Sequence, residues 1–486
     1  MAGLSTSYII SKLAAEGTTT ATQNLILSFL NGASNAAAIA GIEPQEGPVY
    51  DDPTRGYGDQ VRDYDIGERV AQRIIDKRDC LGGFTSLTQL AGISHFGTDK
   101  FNDLLYSFTQ IVYEISAVKF DYHTGSIIND ALSIRKNYAT PAPSPSWQKG
   151  VSSTYTDSPA AYAIKETQGN TLAIRVALKA NGISGAYVRA TGGGRLGNAK
   201  EKFVSFDAAG SSCFETFELE NTSFHAYGVN AYNMAWRWQW RLKPTDPWRD
   251  IVTTRHRLFV ILEAPTLPWV QTAGSTALPW ADALEIACAW AAGTTDKDTA
   301  AGCITEHYND SGRVSYDTVG GWTYYGTGTY NLTQMINRLN GGAGLGSKVN
   351  CTDSANTVST FANLIGCDLW QSRMSRSSGW GGFDLNPIIA IGYINWAIPF
   401  KGGFSYHEVA WKGACTPNDR LFDGCLKVDA DADPTCPPHT PLLPKNMLFG
   451  DCATMNYRLR LCPPTPGGCA ACQPQPLTTR QRRPIM

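Results

Sequence analysis

Apolar and polar residues follow different rhythms along this chain, and the changes of rhythm divide it. Residues 1–45 are rich in Ala, Thr, Ser and Asn. Tyr8, Ile9 and Ile10, then Leu25 to Leu30, give only weakly amphipathic helical spacing, which predicts a leader or docking arm. From 46 to 120 the spacing is helical. Val70, Ile74 and Ile75 share a face, and Gly82 and Gly83 break the chain. Leu87 and Leu90 mark a short turn, and Gly97-Thr98-Asp99 opens a helix bearing Phe101, Leu104, Leu105 and Phe108. The alternate prolines of 138–150 predict an extended spacer inside a Pro-rich linker, 121–159. Between 160 and 270 the period is two. Leu172 to Leu178 alternates, Trp236, Trp238 and Trp240 share a face, and Leu258 to Leu262 is a continuous apolar run, which predicts a β-sandwich. Residues 271–462 mix both periods: helical over Trp280–Trp290 and 351–366, strand-like over 387–428. The Cys/Pro-rich tail, 463–486, reads as irregular.

Composition narrows the class. The 486 residues, 43% hydrophobic and 17% charged, suffice for several packed cores, so the expected fold class is multidomain α+β. A net charge of -2 calls for neither nucleic acid nor an anionic membrane as partner. No run of about 18 apolar residues predicts a spanning helix, and the first residues lack the basic-then-apolar pattern of a secretory signal. Of 13 cysteines, eleven fall between Cys288 and Cys472. That density predicts an oxidised, extracytoplasmic or secreted half with six bridges, and the odd thiol left over is a candidate nucleophile.

Cys351 is the best placed. A flexible stretch from Gly344 leads to it, and a helix follows with Ala355, Val358, Phe361, Ala362 and Ile365 as its apolar stripe. A cysteine at a helix N-terminus faces free N–H groups that favour a thiolate and can stabilise an oxyanion. The chain holds 7 histidines, two of them after Cys351. His407 lies in a strand-like run, whereas His439 lies among prolines, so His407 is the better-fixed base. The next strand offers Asp423 or Asp429 to hold the imidazole. Trp322, Tyr324 and Tyr325 are candidates for a second oxyanion contact.

The order of these elements resembles the transglutaminase-like superfamily. Cys351-Thr-Asp-Ser-Ala355 is similar to its helix start, Tyr406-His407-Glu408-Val409 with Trp411 to its histidine strand, and Leu421-Phe422-Asp423 to its aspartate strand. The resemblance implies a papain-like α+β catalytic domain over 271–462, with Cys351, His407 and Asp423 catalysing acyl transfer on protein or peptide amides. It implies no cofactor and no metal. The rival expectation is a non-catalytic extracellular binding or assembly protein built on the same scaffold.

Three further patterns have simpler readings. Residues 61–108 resemble tandem helix-hairpin-helix units. His95-Phe96-Gly97 departs from the motif, and 51–103 carries seven basic and ten acidic residues, which opposes phosphate contact and favours docking of a protein partner. Asp429, Asp431 and Asp433 resemble the start of a calcium loop, but Pro434 and Thr440 stand at two positions the loop requires otherwise, leaving a solvated acidic turn. Cys469 and Cys472 have redox or zinc spacing without the surrounding pattern, so a tail disulfide is expected.

Overall fold

The protein is seen in a computed structural model that describes residues 3–15, 18, 20–40, 66–109, 112–120, 131–167, 172–180, 183–221 and 228–486. It is mixed α+β, with two separate hydrophobic cores among the described residues.

The first core is helical. Helices α1 (Thr6–Ala15), α2 (Thr20–Gly32) and α3 (Ala36–Ala40) pack with α4 (Glu68–Leu81) and α5 (Thr98–Thr109) around Ile9, Ile26, Leu30, Ile74, Leu90 and Phe101. The segment expected as an arm is therefore part of a globular unit. The tie is polar as well as apolar: Arg78 donates to the Ala33 carbonyl at 2.5 Å, and Asn31 exchanges hydrogen bonds with the Phe84 backbone. Weak amphipathicity misled because small residues let short helices pack closely without a wide apolar stripe. Gly82, at φ 68, caps α4 in the left-handed region, as its position after the apolar run predicts. Residues 41–65, which include the start of the hairpin-like motif, lie outside the described residues.

Two sheets follow. One has the order β2-β1-β4-β7, from β1 (Val112–Lys119), β2 (Trp147–Gln148), β4 (Ala173–Ala180) and β7 (Glu215–Glu218). The other has the order β3-β9-β8-β5-β6, from β3 (Pro159–Ala163), β5 (Gly185–Gly192), β6 (Ala199–Ser205), β8 (Asn230–Arg241) and β9 (Arg249–Ile261), with a single helical turn α6 (Ile164–Thr167) after β3. Their inner faces meet through aromatic rings. Phe217 lies edge-on to Trp238 at 5.4 Å, and Phe120 stacks on Trp236 at 5.9 Å. Two expected boundaries move. Val112–Lys119, placed with the helices, is a sheet strand. The expected spacer contributes β2, which pairs with β1 through Trp147↔Val118 and buries Trp147. Prolines forbid ladder donation only at their own positions, and Trp147 and Gln148 are free to pair.

The remaining region joins α7 (Ala281–Trp290), α8 (Lys297–Asn309), α9 (Leu332–Leu339) and α10 (Cys351–Leu364) to short sheets. A parallel pair, β10 (Ser315–Tyr316) and β11 (Lys348–Val349), leads into α10. The main sheet contains β12 (Trp370–Ser375), then, after the short strands β13 (Phe383–Asp384), β14 (Ile389–Ala390) and β15 (Gly403–Phe404), β16 (His407–Trp411) and β17 (Arg420–Phe422). Strands β18 (Leu426–Asp429) and β19 (Pro441–Leu442) pair beside β14, while β20 (Lys445–Leu448) and β21 (Gln473–Pro474) close the main sheet in the order β20-β17-β16-β12-β21. Every residue of α10 is buried, which a single stripe would not need, because the helix is covered on all sides. Among the described residues no helix is long and apolar enough to cross a membrane.

The expectations about cysteine and the tail need correcting. One disulfide is present, Cys452–Cys469, where six were expected. Of the other thiols, Cys462 lies beside Cys472 and Cys425 near Cys351, while some stand apart as small apolar groups, such as Cys288 beneath the Val260 carbonyl and Cys367 on that of Lys297. The 463–486 segment is ordered: β21 pairs with β12, Gln481 pairs with Gln371, and Ile485 bridges Tyr330. Its backbone groups find partners along a sheet edge, which composition does not reveal.

Candidate active site

The backbone leading into α10 fixes the position of Cys351. Asn350 caps the helix, its side chain accepting from the Asp353 N–H at 3.1 Å, while Asp353 accepts from the Asn350 N–H at 3.2 Å. The same Asp353 carboxylate accepts from the Tyr324 and Tyr325 N–H groups, both at 2.9 Å, and so fastens the 317–325 loop against the helix start. Burial pushes the Asp353 carboxyl up to about 6, against the pull of these N–H donors and the Arg483 charge.

On the adjacent sheet, His407 opens β16 opposite Met374 of β12. Strand β17 runs antiparallel to β16, with Ala410 opposite Phe422, and brings Asp423 to the imidazole. His407 Nε2 lies 2.9 Å from Asp423 Oδ2, and both residues are buried. Phe404 lies parallel to the ring at 4.8 Å and fixes its plane. With Nε2 engaged, Nδ1 has no hydrogen-bond partner among the described residues. Cys351 is near enough to act on the ring electrostatically. Burial alone would push the His407 pKa down. The Asp423 charge and hydrogen bond, then Cys351, reverse this and raise it to about 10.

Of the three residues singled out from the sequence, His407 and Asp423 are hydrogen-bonded, and Cys351 lies near enough to act on the His407 ring. The alternative carboxylate is engaged elsewhere, Asp429 Oδ2 lying 2.6 Å from His439 Nδ1. Asp429 also accepts from the Asp431 and Thr440 N–H groups, which makes the acidic run a hydrogen-bonded turn. Tyr324 and Tyr325 have committed hydroxyls, one donating to Asp317 at 3.0 Å and the other to the Gly346 carbonyl at 2.7 Å, while Trp322 is exposed.

Four neighbours were not legible in the sequence. Tyr457 donates its hydroxyl to Asp423 Oδ2 at 2.8 Å, and the Cys425 N–H donates to Oδ1 at 2.9 Å, so both carboxylate oxygens are held. Tyr316, only 3% exposed, interacts with Cys351, and its hydroxyl has no hydrogen-bond partner among the described residues. Burial first, then neighbouring charges including Cys351, keeps this phenol protonated. Cys425 is a second buried thiol nearby, and burial and the Asp423 charge hold it protonated, which disqualifies it as the nucleophile. The only local hint was Asp423-Gly-Cys425, a spacing that suits a side chain bonding to its own backbone two residues on. The fourth, Arg483, comes from the segment expected to be irregular; it donates to Glu408 Oε1 at 2.6 Å, beside His407.

No metal-holding cluster of His, Cys, Asp or Glu occurs among the described residues. No protein-family model matches the chain, and no curated protein is recognisably similar to it.

Proposed function

We propose that the chain is a cysteine-dependent acyl-transfer enzyme acting on protein or peptide amides, and that residues 271–462 form a papain-like α+β domain of the transglutaminase-like kind. The observation that carries this reading is the buried His407, bound to Asp423 through Nε2 at 2.9 Å, with Nδ1 unpartnered among the described residues and Cys351 near enough to act on the ring.

In this mechanism His407 already holds the proton given up by Cys351, so Cys351 Sγ attacks the amide carbonyl carbon as a thiolate beside the imidazolium. The carbonyl oxygen takes up the charge, facing the free N–H groups that begin α10 and the unpartnered Tyr316 hydroxyl. His407 then gives its proton to the leaving nitrogen, the C–N bond breaks, and an amine departs from a Cys351 thioester. Water or a second amine attacks the thioester and yields its proton to His407. The sulfur leaves as the thiolate beside the reprotonated imidazole, giving hydrolysis or crosslinking respectively. Asp423, held by Tyr457 and the Cys425 N–H, keeps the imidazole oriented throughout.

The test is amide turnover together with mass-spectrometric detection of an acyl adduct on Cys351. Cys351→Ala should abolish both; turnover that survives this change overturns the proposal. The burial of Cys351 and His407, 3% and 0% exposed, favours a second reading, a closed scaffold used for binding or assembly. Iodoacetamide that leaves native Cys351 unmodified while Cys80, Cys213 and Cys436, all exposed, react would support it.

A further inference from the structure

One buried charge cluster joins the element that carries the sulfur to the strand that carries the imidazole. Glu408 follows His407 on β16 and is fully buried. Its Oε2 accepts from the Thr352 hydroxyl at 2.8 Å, and Thr352 follows Cys351 on α10. Arg373, opposite Glu408 on β12, donates to Oε2 at 3.1 Å. The last member is Arg483, 1% exposed, whose guanidinium grips both carboxylate oxygens, Nη1 to Oε1 at 2.6 Å and Nη2 to Oε2 at 3.1 Å. The other donors of Arg483 are spent on α10 and its surroundings: Nη1 also reaches Asn356 Oδ1 at 2.9 Å, and Nε reaches the Thr327 carbonyl at 2.7 Å.

The segment that delivers Arg483 is held from both sides. Arg480 and Arg482 lie over the Trp370 ring at 3.4 and 3.8 Å. Farther along, Tyr330 and Met486 are joined through backbone hydrogen bonds. Such anchoring places one guanidinium where a planar fork can meet both oxygens of one carboxylate, geometry that a lysine cannot reproduce.

We infer that Arg483 is a positioning residue for the Cys351–His407 pair, the 473–486 segment acting as a clasp that sets the distance between α10 and β16 through Glu408 and Thr352. It touches neither substrate nor sulfur. It works because Glu408 and Thr352 each adjoin one of the reacting residues, so a shift in the cluster displaces sulfur and imidazole relative to one another. Without the clasp the carboxylate would keep Arg373 and the Thr352 hydroxyl, both on Oε2, and Oε1 would lose its guanidinium, a destabilising change for a buried charge.

The inference rests on the acyl-transfer reading for its meaning, but its test does not need turnover. In the full chain, the rate of Cys351 alkylation by iodoacetamide is followed against pH by mass spectrometry of the Cys351 peptide, beside thermal melting. Arg483→Met should lower the melting temperature and the alkylation rate. The deciding variant is Glu408→Gln with Arg483→Met, which removes this ion pair and leaves Arg373 over the Tyr406 ring at 4.0 Å. It should melt close to the wild type yet alkylate at least about tenfold more slowly, with a displaced pH profile. Where wild-type turnover is measured, kcat should fall and KM hold. A folded double variant whose alkylation profile coincides with the wild type assigns Arg483 to stability alone and overturns the inference. A wild type that turns over no amide sinks the acyl-transfer reading instead, and the alkylation profiles still decide on Arg483.

Discussion

Two histidines, in two regions of the molecule, are equally buried and oppositely charged in tendency. In the paired sheets, the hydrogen-bond partners of His256 among the described residues are hydroxyls, Ser158 at 2.7 Å and Thr254 at 2.9 Å. Burial dominates there and pushes its pKa down to about 3. In the helix-and-sheet region, His407 suffers the same burial but faces the Asp423 carboxylate, and its pKa rises to about 10. The contrast teaches that a buried imidazole is a structural group unless a carboxylate pays its desolvation; with one it becomes a proton carrier at neutral pH. Phe404 in one region, and Phe120 and Trp236 in the other, supply aromatic walls, so packing does not separate the two.

The sharpest way to break the comparison is to make His407 resemble His256. Asp423→Asn keeps the shape and removes the charge, so burial should take over and carry the His407 pKa below its ordinary value. Amide turnover should drop by about 10⁴-fold, and a two-dimensional NMR titration of the imidazoles should find His407 neutral at pH 7. A His407 that remains protonated in this variant would end the electrostatic argument.

The two sites also oppose each other in pH. The unfolded chain protonates His256 near 6.5 and the folded one near 3, so its contribution to stability is whole above 6.5 and lost as pH falls toward 3. The loss is on the order of 4 kcal/mol. His407 has its folded value raised, so its contribution is whole below 6.5 and lost as pH rises through about 10. Urea midpoints measured from pH 3 to pH 10 should therefore fall at both ends. His256→Gln should flatten the acid limb alone, and Asp423→Asn the alkaline limb.

The Cys452–Cys469 bridge closes a separation of 17 residues around Tyr457, which braces Asp423. Replacing both cysteines with serine should cost about 3 kcal/mol in the chain-entropy account. The denaturation midpoint should move accordingly, and turnover should fall less than in Asp423→Asn. The smallest effect is expected at the helix cap, where Asn350→Ala removes the acceptor for the Asp353 N–H and should cost about 1 kcal/mol. Chemical denaturation of this variant at pH 7 is the measure, with a shift toward lower urea.

Much of the site's frame was local and therefore legible. A glycine-rich approach and an apolar stripe predict a helix beginning at Cys351, and α10 begins there, capped by Asn350. Alternating residues and a turn predict the hairpin that carries His407 and Asp423, and the register of β16 with β17 realises it. The choice between Asp423 and Asp429 could not be made from spacing, because both lie within reach of one hairpin. It was made by His439, which occupies Asp429.

The sequence by itself determined where helices and strands begin, which faces are apolar and which residue types could do thiol chemistry, since these depend on neighbours a few positions apart. Tertiary structure alone decided that helices α1 to α3 share a core with α4 and α5, that one pair of cysteines is bridged, and that Tyr316, Tyr457 and Arg483 converge on the site from 35, 106 and 132 residues beyond or before Cys351. The reason is physical: a phenol or a guanidinium acquires its role from the buried partner it meets, and no local pattern records a meeting between segments so far apart.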